Sequence, residues 1–361
     1  MKRDKIHFTG QHMDSYNATW NFIWSARESG KTTSWVIKAY KFHVKYKATI
    51  IVLRYLIADI TDTYISDLST VLTDFDYDVK FKFKKTMKEG IIDVFVDGEE
   101  DEIPIFRFIA LSNPISRIKS MKLKNAGYIV LDEFILNTRV GEKYPVGLVT
   151  RFKELYNTYL RCCHTGKKFK LFCYGNPYSK FHPLLSNLKV NTTCLKEGDF
   201  IYNKETDTYC EAYKLKDELK QYILAHNPLY KFDDAYSAYA FNGETINDTN
   251  FIIVEQQPEN YTLNFIFRIQ NKYLLIYKDT RVRDYDAYDT GKYWIACSDT
   301  YKGNRNIYAV DLDNLIEGTV LITTNIRALC YRLSNSIANR DVSFNSIEAG
   351  YLTEDIYSYI S

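Results

Sequence analysis

The chain has 361 residues, 46% of them hydrophobic and 25% charged, with a formal net charge of +2. That composition fills ordinary cores and excludes a disordered chain, and the length allows two domains at about 150 residues each. The near balance of charge excludes a uniformly basic protein, so any nucleic-acid surface must be a local patch.

The longest apolar runs, such as Thr49 to Leu53, fall far short of the roughly 20 residues that cross a membrane. The start Met1-Lys2-Arg3-Asp4-Lys5 leads into no long apolar stretch, so neither a signal peptide nor a membrane partner is expected. The seven cysteines follow no metal-ligand spacing, and Cys162 and Cys163 beside His164 read as thiols in a reducing cytosol.

Ala18 to Ser25 reads as a short buried strand, followed by a Gly-containing loop and a helix over 32–47. In that helix Val36, Ala39, Tyr40 and Val44 make an amphipathic stripe. Ala48 to Arg54 is a continuous apolar run of the parallel-strand kind, and Ile57, Ile60, Tyr64, Leu68 and Leu72 make a second helical stripe. A hairpin is predicted over 77–84 and 91–96, with Asp97 to Glu102 as a solvated turn, and a further strand over 103–111. Strands at 128–134 and 169–177 flank a helix near 147–160. Strand and helix alternate as in a parallel α/β sheet. Residues 188–249 are polar and mixed, as in a linker or lid subdomain. From Asn250 onward, strands at 263–269, 272–277, 292–297 and near 320–324 precede C-terminal helices.

The chemistry rests on two motifs. Ser25-Ala26-Arg27-Glu28-Ser29-Gly30-Lys31-Thr32-Thr33 follows the pattern of a phosphate-binding loop between strand and helix, with Ser25 where the first glycine belongs. Such a loop presents backbone N–H groups and a helix N-terminus to phosphates. Lys31 is placed to reach the β- and γ-phosphates of ATP and Thr32 to ligate Mg²⁺. Tyr128-Ile129-Val130-Leu131-Asp132-Glu133 is a buried strand ending in two carboxylates, costly without a cation or a solvent-filled site. Asp132 is assigned to Mg²⁺ and Glu133 to the attacking water, which points to hydrolysis. Ala48 to Arg54 lies between these motifs in sequence and leaves room for the extra strand of the additional-strand (ASCE) class. A third feature, Gly175-Asn176-Pro177, puts a polar Asn176 at a strand tip, where it can sense the γ-phosphate or simply form a turn.

In order and wording these parts resemble the double-stranded-DNA packaging ATPases of phi29-type short-tailed phages, relatives of the terminase large subunits. The points of resemblance are Trp24-Ser25-Ala26-Arg27 with Gly30-Lys31-Thr32, Ile129 to Ile135, and Gly175-Asn176-Pro177. Thr249-Asn250-Phe251-Ile252 and Gly350-Tyr351-Leu352 match more weakly.

The resemblance implies an N-terminal ASCE P-loop ATPase domain with a central parallel sheet over 1–187 and a linker or lid over 188–249. It implies an RNase H-like α/β domain over 250–361. The opening strand of that last domain, Asn264 to Ile269, lacks a central acid, although Asp279, Asp299, Glu354 and Asp355 lie near later element ends. The nuclease therefore reads as vestigial and the domain as a docking module.

The resemblance also implies that Gln11 recognises adenine, that Arg161 is an arginine finger for a neighbouring subunit, and that Arg117, Lys119, Lys122 and Lys124 grip DNA. Solvated side chains, and for Arg161 a helix C-terminal charge, are the competing readings. Arg27 is a further phosphate contact or a surface residue. Lys80, Lys82 and Lys84 share one face of a strand.

The function implied is ATP-driven packaging of double-stranded DNA by a ring of copies, five by resemblance. The ring would sit on a procapsid portal in the host cytoplasm, with a packaging RNA as a further partner. A helicase-like remodeller and a nucleotide-gated structural or RNA-binding protein are the rival readings.

Overall fold

The computed structural model describes residues 7–86, 91–98, 103–114, 116, 123–137, 142, 144, 145, 147–192, 195–228, 237, 240, 241, 245, 251–281, 291–310, 314–322, 333, 336, 337 and 341–360. At 83–86, 355 and 357–360 it describes the backbone alone. The chain forms two compact units, Met1–Lys180 with Cys194–Asn247 and Phe181–Thr193 with Asp248–Ser361.

The first unit opens with helix α1 (Gln11–Tyr16), strand β1 (Trp20–Trp24), helix α2 (Lys31–Tyr46), strand β2 (Thr49–Arg54) and helix α3 (Asp62–Thr73). The stripe over 57–72 is broken: Ile57–Asp59 forms one tight turn, and α3 starts afresh where the Thr61 hydroxyl accepts the Tyr64 N–H. Strands β3 (Phe81–Thr86), β4 (Ile91–Val96), β5 (Phe106–Ala110) and β6 (Ala126–Asp132) follow. Helix α4 (Leu148–Leu160), β7 (Leu171–Gly175), β8 (Phe200–Asn203) and β9 (Thr208–Ala212) complete the sheet.

These nine strands lie in the order β3-β4-β5-β2-β6-β7-β1-β9-β8. The run from β5 to β9 is parallel throughout, and the flanking pairs are antiparallel. Covered faces explain the near-continuous apolar wording of β2, β5, β6 and β7. Trp35, Val36 and Ala39 of α2 and Ile65, Leu68 and Leu72 of α3 pack with Val52, Phe106, Phe108 and Val130 of the sheet.

The additional strand is real, but it is β7 that separates the loop strand β1 from the acidic strand β6. The 48–54 run, β2, lies on the far side of β6, because position in the chain does not set order in a sheet. Residues 188–249 also distribute differently from a separate linker or lid. Strand β9 runs parallel to β1, with Trp20 opposite Thr208, so the β8–β9 hairpin extends the sheet of the first unit.

The second unit carries β10 (Ile252–Ile253), β11 (Tyr261–Ile269), β12 (Lys272–Asp279), β13 (Tyr293–Ser298), β14 (Ile307–Ala309), β15 (Thr319–Leu321) and β16 (Val342–Phe344), followed by a helix over Ile347–Ile360. Its sheet order is β10-β16-β13-β12-β11-β14-β15. The antiparallel meander β11-β12-β13, with β14 and β15 parallel to β11, is the RNase H-like arrangement. The two weakly matching segments meet here: a Cβ on Gly350 would lie 2.6 Å from the Phe251 ring, which also packs edge-on against Tyr351 at 4.9 Å.

Close approach fixes Gly127 in the first unit, where a Cβ would meet Ile50 Cδ1 at 2.8 Å and Phe42 Cε1 at 3.0 Å. Gly127→Ala should therefore destabilise the unit by about 1–3 kcal/mol, read as a lowered midpoint in chemical denaturation with unchanged slope.

Candidate nucleotide-hydrolysis site

Parallel pairing brings the C-terminal ends of β1, β7, β6 and β2 to one edge of the sheet, where ligands of open α/β sheets bind. A cavity of about 530 Å³ opens there. Its lining includes the loop from Arg27 to Thr33, the acids Asp132 and Glu133, and Asn176. Three sequence motifs separated by about 40 to 100 residues thus share one space.

The loop is built tightly. Gly30, at φ 87°, closes it and starts α2, and a Cβ there would lie 2.8 Å from His7 Cβ. Glycine is the residue that tolerates both demands. Glu28 adopts a left-handed φ of 59°, and its carboxylate accepts from Asn227 at 3.2 Å.

Lys31 is buried and donates to the Ser25 carbonyl at 3.0 Å, the Ser25 hydroxyl at 2.9 Å, the Ala26 carbonyl at 3.1 Å and the Ser29 hydroxyl at 3.2 Å. Ser25 therefore fits the first-glycine position and supplies a hydroxyl to the lysine. Burial lowers Lys31 to about 7, against the opposing pull of Asp132. Arg27 donates to the Tyr178 hydroxyl at 2.9 Å.

Asp132, 7% exposed at the end of β6, accepts from the Tyr64 hydroxyl at 2.8 Å and lies 3.6 Å from the Arg54 guanidinium. Burial pushes its carboxyl up, and Arg54 draws it back. Glu133 turns out of the strand at φ 57°, a conformation that costs about 1–3 kcal/mol in a non-glycine residue. Its carboxylate is held by Arg54 Nη2 at 2.5 Å. Arg54 in turn lies over the Tyr64 ring at 4.9 Å. Gly175 permits this corner, since a Cβ would lie 2.9 Å from the Phe134 ring.

Arg54 and Tyr64 escape a motif search. Arg54 ends an apolar strand and Tyr64 falls in a helical stripe; only the position of Arg54 at a strand's C-terminal end hints at a site.

The other predicted residues divide. Gln11 is exposed at the start of α1 and lines neither this cavity nor the neighbouring one. His7, tied to the loop because Phe8 N–H donates to Ser29 O at 2.8 Å, lines the cavity. Arg161 is exposed just beyond α4, beside Cys162, whose carbonyl accepts from Ala126 N–H at 2.8 Å. That is the opposite end of β6 from Asp132, about 20 Å away for seven residues of strand. Lys124 is exposed at that same end, while Arg117, Lys119 and Lys122 lie outside the described residues. Lys80 and Lys82 are exposed, and the side chain of Lys84 is outside the description.

An oxygen donor set of one threonine hydroxyl and one buried carboxylate suits Mg²⁺ bound together with a triphosphate. Thr32 and Asp132 supply it within the one cavity. Among the described residues no cluster of three or more His, Cys, Asp or Glu side chains forms a protein-only metal site.

In the second unit, Lys272 occupies the space between two carboxylates, 2.8 Å from Asp299 and 3.5 Å from Glu348, and Ser186 donates to Glu348 at 2.6 Å. Asp279 is engaged by Arg281 at 2.8 Å. Glu354 is exposed, and the side chain of Asp355 lies outside the description.

This architecture, a largely parallel sheet with β7 between the loop strand and the acidic strand and a second α/β unit, is the fold of viral DNA-packaging motor proteins of known structure. The structure is similar to the Phi-28 gp11 DNA packaging motor, with 18% identity, TM-score 0.64 and coverage of 98% of this chain and 97% of that one. It is also similar to the bacteriophage Phi-29 viral genome packaging motor assembly, with 17% identity, TM-score 0.62 and coverage of 99% and 100%. The sequence matches no protein-family profile and no curated protein. The resemblance read from the motifs thus holds at the level of fold over nearly the whole chain. No helix among the described residues is long and apolar enough to cross a membrane.

Phosphate oxygens arriving at Lys31 raise its proton affinity from the lowered value near 7. ATP binding should therefore take up a proton above about pH 7, and affinity should fall as pH rises from there. Calorimetry in two buffers of different ionisation enthalpy checks this: the expected uptake is present near pH 8 and small near pH 6.

Proposed function

We propose that this chain is the ATP-hydrolysing subunit of a viral DNA-packaging motor, working as a homo-oligomeric ring that drives double-stranded DNA into a procapsid. The observation that carries the reading is the single cavity joining the Lys31 loop, the Asp132–Glu133 strand end and Asn176. Its place is the host cytoplasm, transiently on the portal vertex, with a packaging RNA as a further partner by resemblance.

In the catalytic cycle Lys31 exchanges its serine and carbonyl acceptors for the β- and γ-phosphate oxygens. The loop N–H groups and the start of α2 receive the remaining charge. Thr32 and Asp132 would hold Mg²⁺, which neutralises phosphate charge when bound. Glu133 orients the attacking water and accepts its proton. Arg54 sets the Glu133 carboxylate in place and must loosen its hold for that carboxylate to meet water. Asn176, at the tip of the strand between loop and acids, is positioned to register loss of the γ-phosphate. Arg161 lies too far from its own Asp132 to act there, so its proposed role is on a neighbour's site.

The second unit is proposed to dock on the portal or the packaging RNA without cutting nucleic acid. Two observations support this: its opening strand has no acid, and Lys272 stands between Asp299 and Glu348, offsetting part of their charge.

Lys31→Ala and Glu133→Gln should each abolish multiple-turnover ATP hydrolysis in the presence of DNA, and wild-type protein that never turns over would reject the reading. Mixing Arg161→Ala with Glu133→Gln subunits should restore part of the activity neither has alone, because one supplies an intact site and the other an intact finger. Arg54→Ala should lower kcat on the order of tenfold to a hundredfold while ATP affinity changes little, since Arg54 touches the two carboxylates and not the loop.

A further inference from the structure

The end of the parallel sheet opposite the candidate site includes three segments, 45–48 at the close of α2, 123–125 before β6 and 161–168 after α4, beside the turns that lead into β1 and β9. Asn125 locks them together. Its Nδ2 donates to the Tyr46 carbonyl at 3.1 Å and the Lys47 carbonyl at 3.4 Å, and its Oδ1 accepts the His164 N–H at 2.9 Å.

On this frame Lys45, Lys47, Lys124, His164 and Lys167 are all exposed. The Lys45 and Lys167 ammonium groups flank one aromatic ring, lying 5.3 and 6.0 Å from the centre of Tyr46. None of the three loop segments contains an aspartate or glutamate. Among the described residues Lys45, Lys124 and Lys167 have no carboxylate partner. The nearby Lys168 is different, being paired with Asp207. Lys45, Lys124 and Lys167, gathered from three segments that an asparagine holds in register and without a carboxylate partner among the described residues, repel one another; a bound polyanion relieves that repulsion.

We propose that this pole is a contact surface for the phosphodiester backbone of double-stranded DNA, with Lys45, Lys47 and Lys167 joining Lys124 in the grip. The proposal rests on the reading of the chain as a DNA motor and extends the contact to loops distant in sequence from 117–124. The contacts are to phosphates, so binding is independent of base sequence and strongly dependent on salt. Tyr46 orients its two lysines and is a positioning residue.

The test uses the full chain and the triple variant Lys45→Gln, Lys47→Gln, Lys167→Gln, which changes exposed side chains only. Binding to a duplex DNA of fixed length is measured by anisotropy over a salt series, beside a duplex RNA of equal length. The expected result is a DNA affinity at least tenfold weaker and a log–log salt slope shallower by about 2 to 3, with ATP affinity and DNA-free ATP turnover unchanged. Unchanged DNA affinity and slope, a loss confined to duplex RNA, or a loss of ring formation in place of DNA binding would each overturn the proposal. Failure of the motor reading shows separately, as absent ATP turnover in the wild-type chain.

Discussion

A buried carboxylate at the end of a parallel strand cannot stand alone, and the site is organised around meeting that need at Asp132. Lys31 approaches from the phosphate loop, Arg54 from the neighbouring strand and the Tyr64 hydroxyl from α3. Each of these groups carries its own desolvation cost, which only the others offset. In this arrangement Lys31 rests on serine and carbonyl oxygens and Glu133 rests on Arg54. Under the proposed function, phosphate oxygens would offer Lys31 stronger partners. Such an exchange would reach the glutamate through the Asp132–Arg54–Glu133 contacts.

The second unit meets the same problem differently. Its carboxylates at Asp299 and Glu348 share a lysine from the same unit, which offsets one of their two charges. One sequence thus keeps two carboxylate pairs, one facing an arginine and the phosphate-loop lysine and one built around a lysine of its own unit.

What could be read from the sequence follows from the range of the interactions involved. The loop from Ser25 to Thr33 and the Asp132–Glu133 strand end depend on spacing within a few residues, and both fall where their wording places them. Strand and helix identities were legible for the same reason, since covered parallel strands read as apolar runs. Sheet order was not: β7 rather than β2 separates loop from acids, because a strand's neighbours are chosen by crossover packing across more than 100 residues. Arg54 and Tyr64 stand 79 and 68 residues from the acids they bind, and each reads locally as the end or the stripe of an ordinary element. His7, four residues before Gln11, lines the cavity although no local pattern marks it. The β8–β9 hairpin is a local feature, but its parallel pairing with β1 is not, and the polar wording of its surroundings suggested a separate subdomain.

The two ends of the six-stranded parallel sheet carry different groups, the Lys31 loop with Asp132 and Glu133 at one and a cluster of cations at the other. Close-packed strands sharing hydrogen bonds along their length neither stretch nor compress appreciably. If the proposed cycle shifts the sheet at the Lys31 end, a slab this stiff would carry the shift to the far end as a rigid body, so coupling between the ends would depend on the sheet as a whole more than on any single side chain.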